Sequence, residues 1–327
     1  YTLVVSAFAV PFGRIADLTS RKKVLVVGLI VFTVGAVAAV FSNGIAFVLV
    51  ARGLQAFGAA MIFATNQAIL LAEFDEGERG RVLGYSTAAT YIGLSVGPVV
   101  GGIINNHFGW RAIFIVAALI ALVSLALAAK KLPKRNSVLA KEHLDVAGLV
   151  LYCVTIIFVV YSLSEFASNT FNLLLFPVGL LIGALFLARE TSTDSPLVDV
   201  NMFLSSREYT ISNIVALLNY AATFAISYLL SIYLQVVQGY DSQMAGIMLI
   251  AAPLMQAIVS PFAGDLSDKI KPFKLATRGM ILCAVALFLF SFLSVDTPVI
   301  YVMATLVLSG VGFAFFSSPN TNAVMSC

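Results

Sequence analysis

An all-α polytopic membrane helix bundle is the fold this sequence predicts, and three observations predict it. Of 327 residues, 60% are hydrophobic and 11% charged, whereas a soluble domain carries roughly 25% charged residues. The apolar excess comes in runs of about the length that crosses a ~30 Å hydrocarbon core as helix, roughly 20 residues each. No stretch alternates every second residue, so helices rather than an outer-membrane barrel satisfy the backbone.

Eleven apolar spans follow in order, at about 1–17, 24–41, 45–72, 82–105, 110–130, 146–167, 171–188, 209–237, 243–263, 275–294 and 298–326. Most connections are short, so successive helices run antiparallel. The cations fix the orientation. Arg14, Arg21, Lys22 and Lys23 follow the first span, Arg79 and Arg81 the third, and Lys130, Lys131, Lys134, Arg135 and Lys141 the fifth. Arg189 and Arg207 follow the seventh, and Lys269, Lys271, Lys274 and Arg278 the ninth. That places 17 of the 19 Lys and Arg residues on one side, which the positive-inside rule makes cytoplasmic. The opposite loops, around Asn43, Asn169, Gly239 and Asp296, hold only Arg111, and Arg52 lies within a span. A cell membrane, of the prokaryotic cytoplasmic type, is the expected location.

The fourth span, GYSTAATYIGLSVGPVVGG at 84–102, is the most patterned stretch. Ala89, Gly93, Gly97 and Gly101 recur at i+4, so on a helix they share a face that lets another backbone approach. Pro98 has no N–H, which strips the Leu94 carbonyl of its partner and predicts a bend. Tight helix packing and a functional joint explain this spacing equally well. An internal repeat accompanies it: Gly13-Arg-Ile-Ala-Asp17 and Gly264-Asp-Leu-Ser-Asp268 each end a span of the same orientation and precede basic residues, as in transporters built from parallel repeats. Cys153, Cys283 and Cys327 are far apart in apolar runs, a pattern of packed thiols rather than of a metal site or disulfide framework.

Read together, these motifs resemble the major facilitator superfamily. FGRIADLTSRKKVL is similar to that family's loop between helices 2 and 3, matched at Gly13, Asp17, Arg21 and Lys22, with Ser20 where a second glycine is usual. Arg52-Gly-Leu-Gln55-Ala-Phe-Gly58 resembles its helix 4 motif. An arginine at membrane depth faces the bundle interior or a wet cavity, or else snorkels to the surface, which lies about seven residues or ~10 Å away. Glu78-Arg79-Gly80-Arg81 resembles the next basic loop, whose arginine the resemblance makes a partner for Asp17. Gly84, Gly93, Gly97, Pro98, Gly101 and Gly102 reproduce the helix 5 pattern associated with drug:proton antiporters. The two spans at about 146–188, with Leu234-Gln235, Gly239-Tyr240, Ala245-Gly246 and Ser318-Pro319-Asn320-Thr-Asn322, are similar to the fourteen-helix branch.

The resemblance implies a major facilitator fold with two pseudo-repeated halves, incomplete at both ends. Residues 1–131 would be the N-terminal bundle (helices 2–6), 132–207 the linkers and two extra helices, and 208–327 the C-terminal bundle (helices 9–12), with helices 1, 13 and 14 missing. It implies a proton-coupled antiporter that exports drugs or other amphipathic small molecules by alternating access, with the proton gradient as energy source and no cofactor. Cavity candidates on the expected helices are Asn66, Gln67, Asn213, Asn219, Tyr220, Phe224, Gln256, Phe313, Phe316 and Asn320, though a polar residue in a span serves as interhelical glue as readily as it contacts a ligand. Coupling needs a titratable group at depth. Among the sixteen acids Glu165 is the one placed within a span, and the alternative is an acid in helix 1, 13 or 14. The expected partners are a small amphipathic substrate, protons and the lipid bilayer. No nucleic acid is implied by a net charge of +3, and an adaptor protein is not deducible. No set of nucleophile, base and metal ligands clusters in the sequence, so an enzyme is not expected. A facilitator exporting a lipid, siderophore or metabolite keeps every motif, and a non-transporting sensor or scaffold is the reading of another class.

Overall fold

The computed structural model describes residues 1–133, 143–165, 172 and 174–325. Lys134, Arg135, Lys141, Asn169 and Cys327, on which parts of the topology and thiol readings rest, lie outside them. The described chain is helical throughout: α1 (Thr2–Leu18), α2 (Arg21–Val40), α3 (Ile45–Glu73), α4 (Arg79–Phe108), α5 (Trp110–Lys131), α6 (Val146–Glu165) and α7 (Leu175–Glu190) are followed by α8 (Val200–Ser205), α9 (Arg207–Ile232), α10 (Ser242–Leu249), α11 (Ala251–Lys269), α12 (Pro272–Phe290) and α13 (Val299–Met325). Among the described residues, nine helices are long and apolar enough to cross a membrane. The other two expected spans form α1 and α7, whose 17 and 16 residues fall just short of that length. Two spans are less regular than the apolar pattern predicts: α9 ends in a π turn over Tyr233–Val237, and the ninth breaks between α10 and α11 at Ile250.

Local chemistry sets several ends. Ser206 accepts a hydrogen bond from the Tyr209 N–H at the start of α9, and Asp241 accepts one from Met244 at the start of α10, each satisfying an N–H that a helix leaves unpaired. Pro272 opens α12, where its missing N–H costs nothing. Gly109 (φ 77°) and Gly239 (φ 73°) make the turns before α5 and after the π segment in a left-handed conformation that other residues resist. Ser20 precedes α2 at φ −165° and ψ 123°. This is extended backbone, so a serine fits where the family pattern has glycine.

The chain forms two compact units, Tyr1–Ile69 with Gly102–Asn201, and Leu70–Gly101 with Met202–Cys327. Most of α4 thus clusters with the C-terminal helices rather than with its sequence neighbours. In both units many of the buried residues are small: Ala7, Ala36, Ala56 and Ala60 in the first, and Ala263, Ala286 and Ala314 in the second, are fully buried. Val27, Leu49, Leu119, Leu217 and Phe288 are exposed. This is the distribution expected where lipid, as apolar as leucine, leaves close backbone packing to hold helices together. In the first unit a Cβ on Gly28 would lie 2.6 Å from the Cβ of Met61, so α2 and α3 cross at glycine. In the second unit α13 is the core helix, packed against α9, α11 and α12. Cys153 and Cys283 are buried free thiols, and Cys153 Sγ donates to the Ala7 carbonyl at 3.3 Å.

Candidate functional site

In the second unit the start of α4 is seated against α11. Asp268 Oδ1 accepts the Gly80 N–H at 2.7 Å and Oδ2 accepts the Arg81 N–H at 2.8 Å. A carboxylate on the first free N–H groups of a helix is stabilised by hydrogen bonding and by the helix dipole. Asn322 of α13 donates to Ser267 Oγ at 3.1 Å and reaches Asp268 Oδ1 at 3.4 Å, while Ser318 Oγ donates to the Gly80 carbonyl at 3.3 Å. The backbones touch beneath this joint. A Cβ on Gly80 would fall 2.5 Å from the Gly264 carbonyl oxygen, and one on Gly84 2.6 Å from that of Ser260.

Farther along α4 the picture reverses. A Cβ on Gly93, Gly97, Gly101 or Gly102 would meet nothing within 4 Å. Among the described residues the close backbone approach on α4 is at Gly80 and Gly84, against α11, and not along the Gly93–Gly97–Gly101 face. The helix runs unbroken through Pro98 to Phe108.

The first-unit repeat is used differently. Asp17 Oδ1 accepts from Arg21 Nε at 2.8 Å, one turn away. Arg21 Nη1 also donates to the Ala68 carbonyl of α3 at 3.0 Å. Lys22 Nζ donates to the carbonyls of Ala129 and Leu132 at the end of α5, where a cation complements the dipole. Gly13 has open space around it. The repeated Gly-x3-Asp thus seats another helix's N-terminus at Asp268, whereas at Asp17 it bonds Arg21 one turn on.

Arg52 turns into its own unit. Nη1 donates to Gln55 Oε1 at 2.8 Å, and the guanidinium lies 4.2 Å from the Tyr1 ring centroid and 5.8 Å from that of Phe114. Gln55 is 2% exposed, so the bond ties Arg52 to the interior of its unit. Glu165 ends α6 half-buried, and the buried acid among the described residues is Glu190 at the end of α7, 3% exposed. Its Oε2 accepts the Val198 N–H at 2.7 Å, and its Oε1 has no hydrogen-bond partner. Sequence spacing grouped Glu190 with the turn acids; its burial arises from the chain folding back at Val198. Beside it Arg189 makes two bonds to Asp145, at 2.7 and 2.8 Å, and these hold the Asp145 carboxyl below the usual carboxylate range.

The cavity candidates separate by environment. Asn66 and Gln67 are exposed on α3. Asn213 donates to the Tyr209 carbonyl of its own helix at 2.8 Å, whereas Asn219 and Asn320 bond across helices, to Met280 Sδ at 3.1 Å and the Ser212 carbonyl at 3.3 Å. Phe224 is 74% exposed on α9. Tyr220, Phe313 and Phe316 come together: the Tyr220 ring lies 5.4 Å from Phe313, and Phe313 6.3 Å from Phe316, both edge-on. Tyr91 of α4 joins them, 5.7 Å from Phe313. Tyr91 belongs to none of the α4 motifs; its place three residues beyond Ala88, on the face that buries Gly84 and Ala88, is the sequence signal for it.

Residues 1–327 match the family model described as the Major Facilitator Superfamily. The riboflavin transporter RibZ of Clostridioides difficile is 31% identical over 326 residues, covering 100% of this chain and 71% of that protein. The methyl viologen resistance protein SmvA of Salmonella typhimurium is 27% identical, covering 100% and 66%. The multidrug resistance protein Stp of Mycobacterium tuberculosis is 28% identical over 100% of this chain, which spans 61% of Stp's length. In structure the chain is similar to the human organic anion transporter MFSD10, with a TM-score of 0.69 at 15% identity, over 99% of this chain and 67% of the other. The chain belongs to the major facilitator superfamily of membrane transporters.

Proposed function

We propose that the protein is a proton-coupled antiporter that exports amphipathic small molecules by alternating access, with its basic end cytoplasmic. The observation that carries this reading is the joint at Asp268. Two charge-assisted hydrogen bonds and a glycine contact hold one end of α4, while its glycine face at the other end stands open. Such a joint can be broken and remade without unfolding either helix, since each bond contributes only about 1.5–3 kcal/mol. The α4 pattern resembles that of drug:proton antiporters, and the resistance proteins among the relatives support an efflux role. The acids available for coupling in this chain include Glu165 and Glu190. The test is efflux of a dye from proteoliposomes holding the full-length protein under an imposed proton gradient. Gradient-dependent efflux is expected; a gradient without effect would favour a sensor or scaffold.

A second reading, a facilitator dedicated to one metabolite, is favoured by the riboflavin transporter among the relatives. Competition between substrates for the same flux separates it, because a dedicated carrier would be inhibited by one chemical class alone.

A further inference from the structure

We propose that Tyr91, Tyr220, Phe313 and Gln256 form a recognition surface for an uncharged, planar aromatic substrate that donates a hydrogen bond from its edge. This rests on the transporter reading and names the substrate class.

Three independent observations carry it. The first is the pre-ordering of the rings. Phe313, 2% exposed, meets the Tyr91 and Tyr220 rings edge-on at 5.7 and 5.4 Å with interplanar angles of 84° and 72°. The Tyr220 and Ser317 hydroxyls lie 3.3 Å apart. Tyr220 is thereby fixed at edge and tip while it keeps 40% of its surface exposed, and Tyr91 is fixed by its edge-on contact with Phe313. Fixed aromatic faces stack on a flat ligand at little cost in side-chain entropy.

The second is an orphan acceptor. Gln256 is 3% exposed, and its Oε1 has no hydrogen-bond partner. Ring packing does not account for this, because a buried amide carbonyl without a donor costs about 1–3 kcal/mol. The helix register places it beside the rings. Gly84 faces the Ser260 carbonyl, and Gly264 faces Gly80, so α4 and α11 run antiparallel here and Gln256 falls one turn farther on, level with Ala88 and within about a turn of Tyr91. On the other side Gly310 faces Ala252 and Met255, one turn from Phe313.

The third is neutrality. Residues 82–101, 209–240, 242–264 and 297–325 contain no Asp, Glu, Lys or Arg. A dication entering among these segments would lose hydration without a counter-charge, and cation–π contacts return only about 0.5–2 kcal/mol each. An uncharged ring system faces no such loss. Aromatic faces, one amide carbonyl and the absence of charge together select a flat neutral heterocycle.

Two probes of opposite chemistry test this on the full-length protein in nanodiscs: riboflavin, neutral and carrying an imide N–H, and methyl viologen, a dication with no N–H. Riboflavin binding is read by fluorescence quenching. We expect saturable binding that a 100-fold excess of methyl viologen does not displace. Gln256→Leu and Tyr91→Leu should each weaken it at least tenfold, Tyr91→Phe less than threefold, and Tyr228→Leu, on the exposed surface of α9, should leave it unchanged. N3-methylated riboflavin should bind wild type about tenfold more weakly than riboflavin, and Gln256→Leu no more weakly than riboflavin does. That last comparison reads the contact independently of folding. Absence of riboflavin binding, displacement by viologen at equal concentration, or a methylation penalty that persists in Gln256→Leu would overturn the proposal. Binding as expected with no gradient-driven flux would overturn the transporter reading alone; gradient-driven viologen flux indifferent to Gln256→Leu would overturn this proposal alone.

Discussion

The two ends of α4 are made of the same residue type and do opposite things. At Gly80 and Gly84 the missing side chain is filled by backbone: Gly264 and Ser260 carbonyls stand 2.5 and 2.6 Å from where a Cβ would lie. At Gly93, Gly97 and Gly101 it is filled by nothing. A glycine that is already packed is explained by the conformation in view. Under the alternating access proposed above, a glycine face left open, on a regular helix where glycine costs about 1 kcal/mol relative to alanine, would be covered in another conformation. The helix thus reads as one half of a joint that is closed at the Asp268 end and open at the other.

Four substitutions sharpen that contrast, from the largest expected effect to the smallest. Gly264→Leu must force α4 and α11 apart; overpacking of this kind costs about 1–3 kcal/mol or more, so a marked drop in thermal stability and loss of transport are expected in detergent melts and vesicle assays. Asp268→Asn removes the charge from the α4 cap and should cost about 1 kcal/mol, seen as a smaller fall in melting temperature with altered transport. Asp17→Asn breaks a pair that is about one-third exposed; such pairs contribute roughly 0–1 kcal/mol, so stability should barely move while flux slows. Gly97→Leu should leave stability unchanged, since its Cβ enters open space, yet abolish flux if that face must close. A stability loss at Gly97 equal to that at Gly264 would erase the contrast.

The clamp between α6 and α7 adds a pH dependence. The Asp145 carboxyl is depressed by its bonds from Arg189 and by the Gly148 and Ala147 N–H groups. A depressed acid contributes stability that is present above its unfolded value and lost as pH falls through its folded value. Hydrogen exchange of α6 amides should therefore hold steady down through mild acid and rise only below the ordinary aspartate range, and in Asp145→Asn this pH step should vanish.

The sequence made much of this legible because the bilayer enforces it. Apolar length and the spacing of Arg52 and Gln55 are local properties, and the structure shows the second as a direct hydrogen bond. What could not be read is which copy of a repeated motif finds a partner. Gly13–Asp17 and Gly264–Asp268 look alike along the chain, and only packing makes one bind its own Arg21 and the other the start of α4. Burial is equally non-local: Glu190 sits at a helix end as many exposed acids do, and the return of the chain at Val198 covers it. Tyr91 became visible as a site residue only beside Phe313.

The central claim, that the open glycine face of α4 is covered during the working cycle, is tested most directly by Gly97→Cys in vesicles carrying the full-length protein. Cys153 and Cys283 are buried, and wild type supplies the background. The rate at which a small maleimide labels the new thiol is measured at rest and then under an imposed proton gradient with transported dye. The account predicts ready labelling at rest and marked slowing during transport; labelling at one unchanged rate while dye is being transported would contradict it.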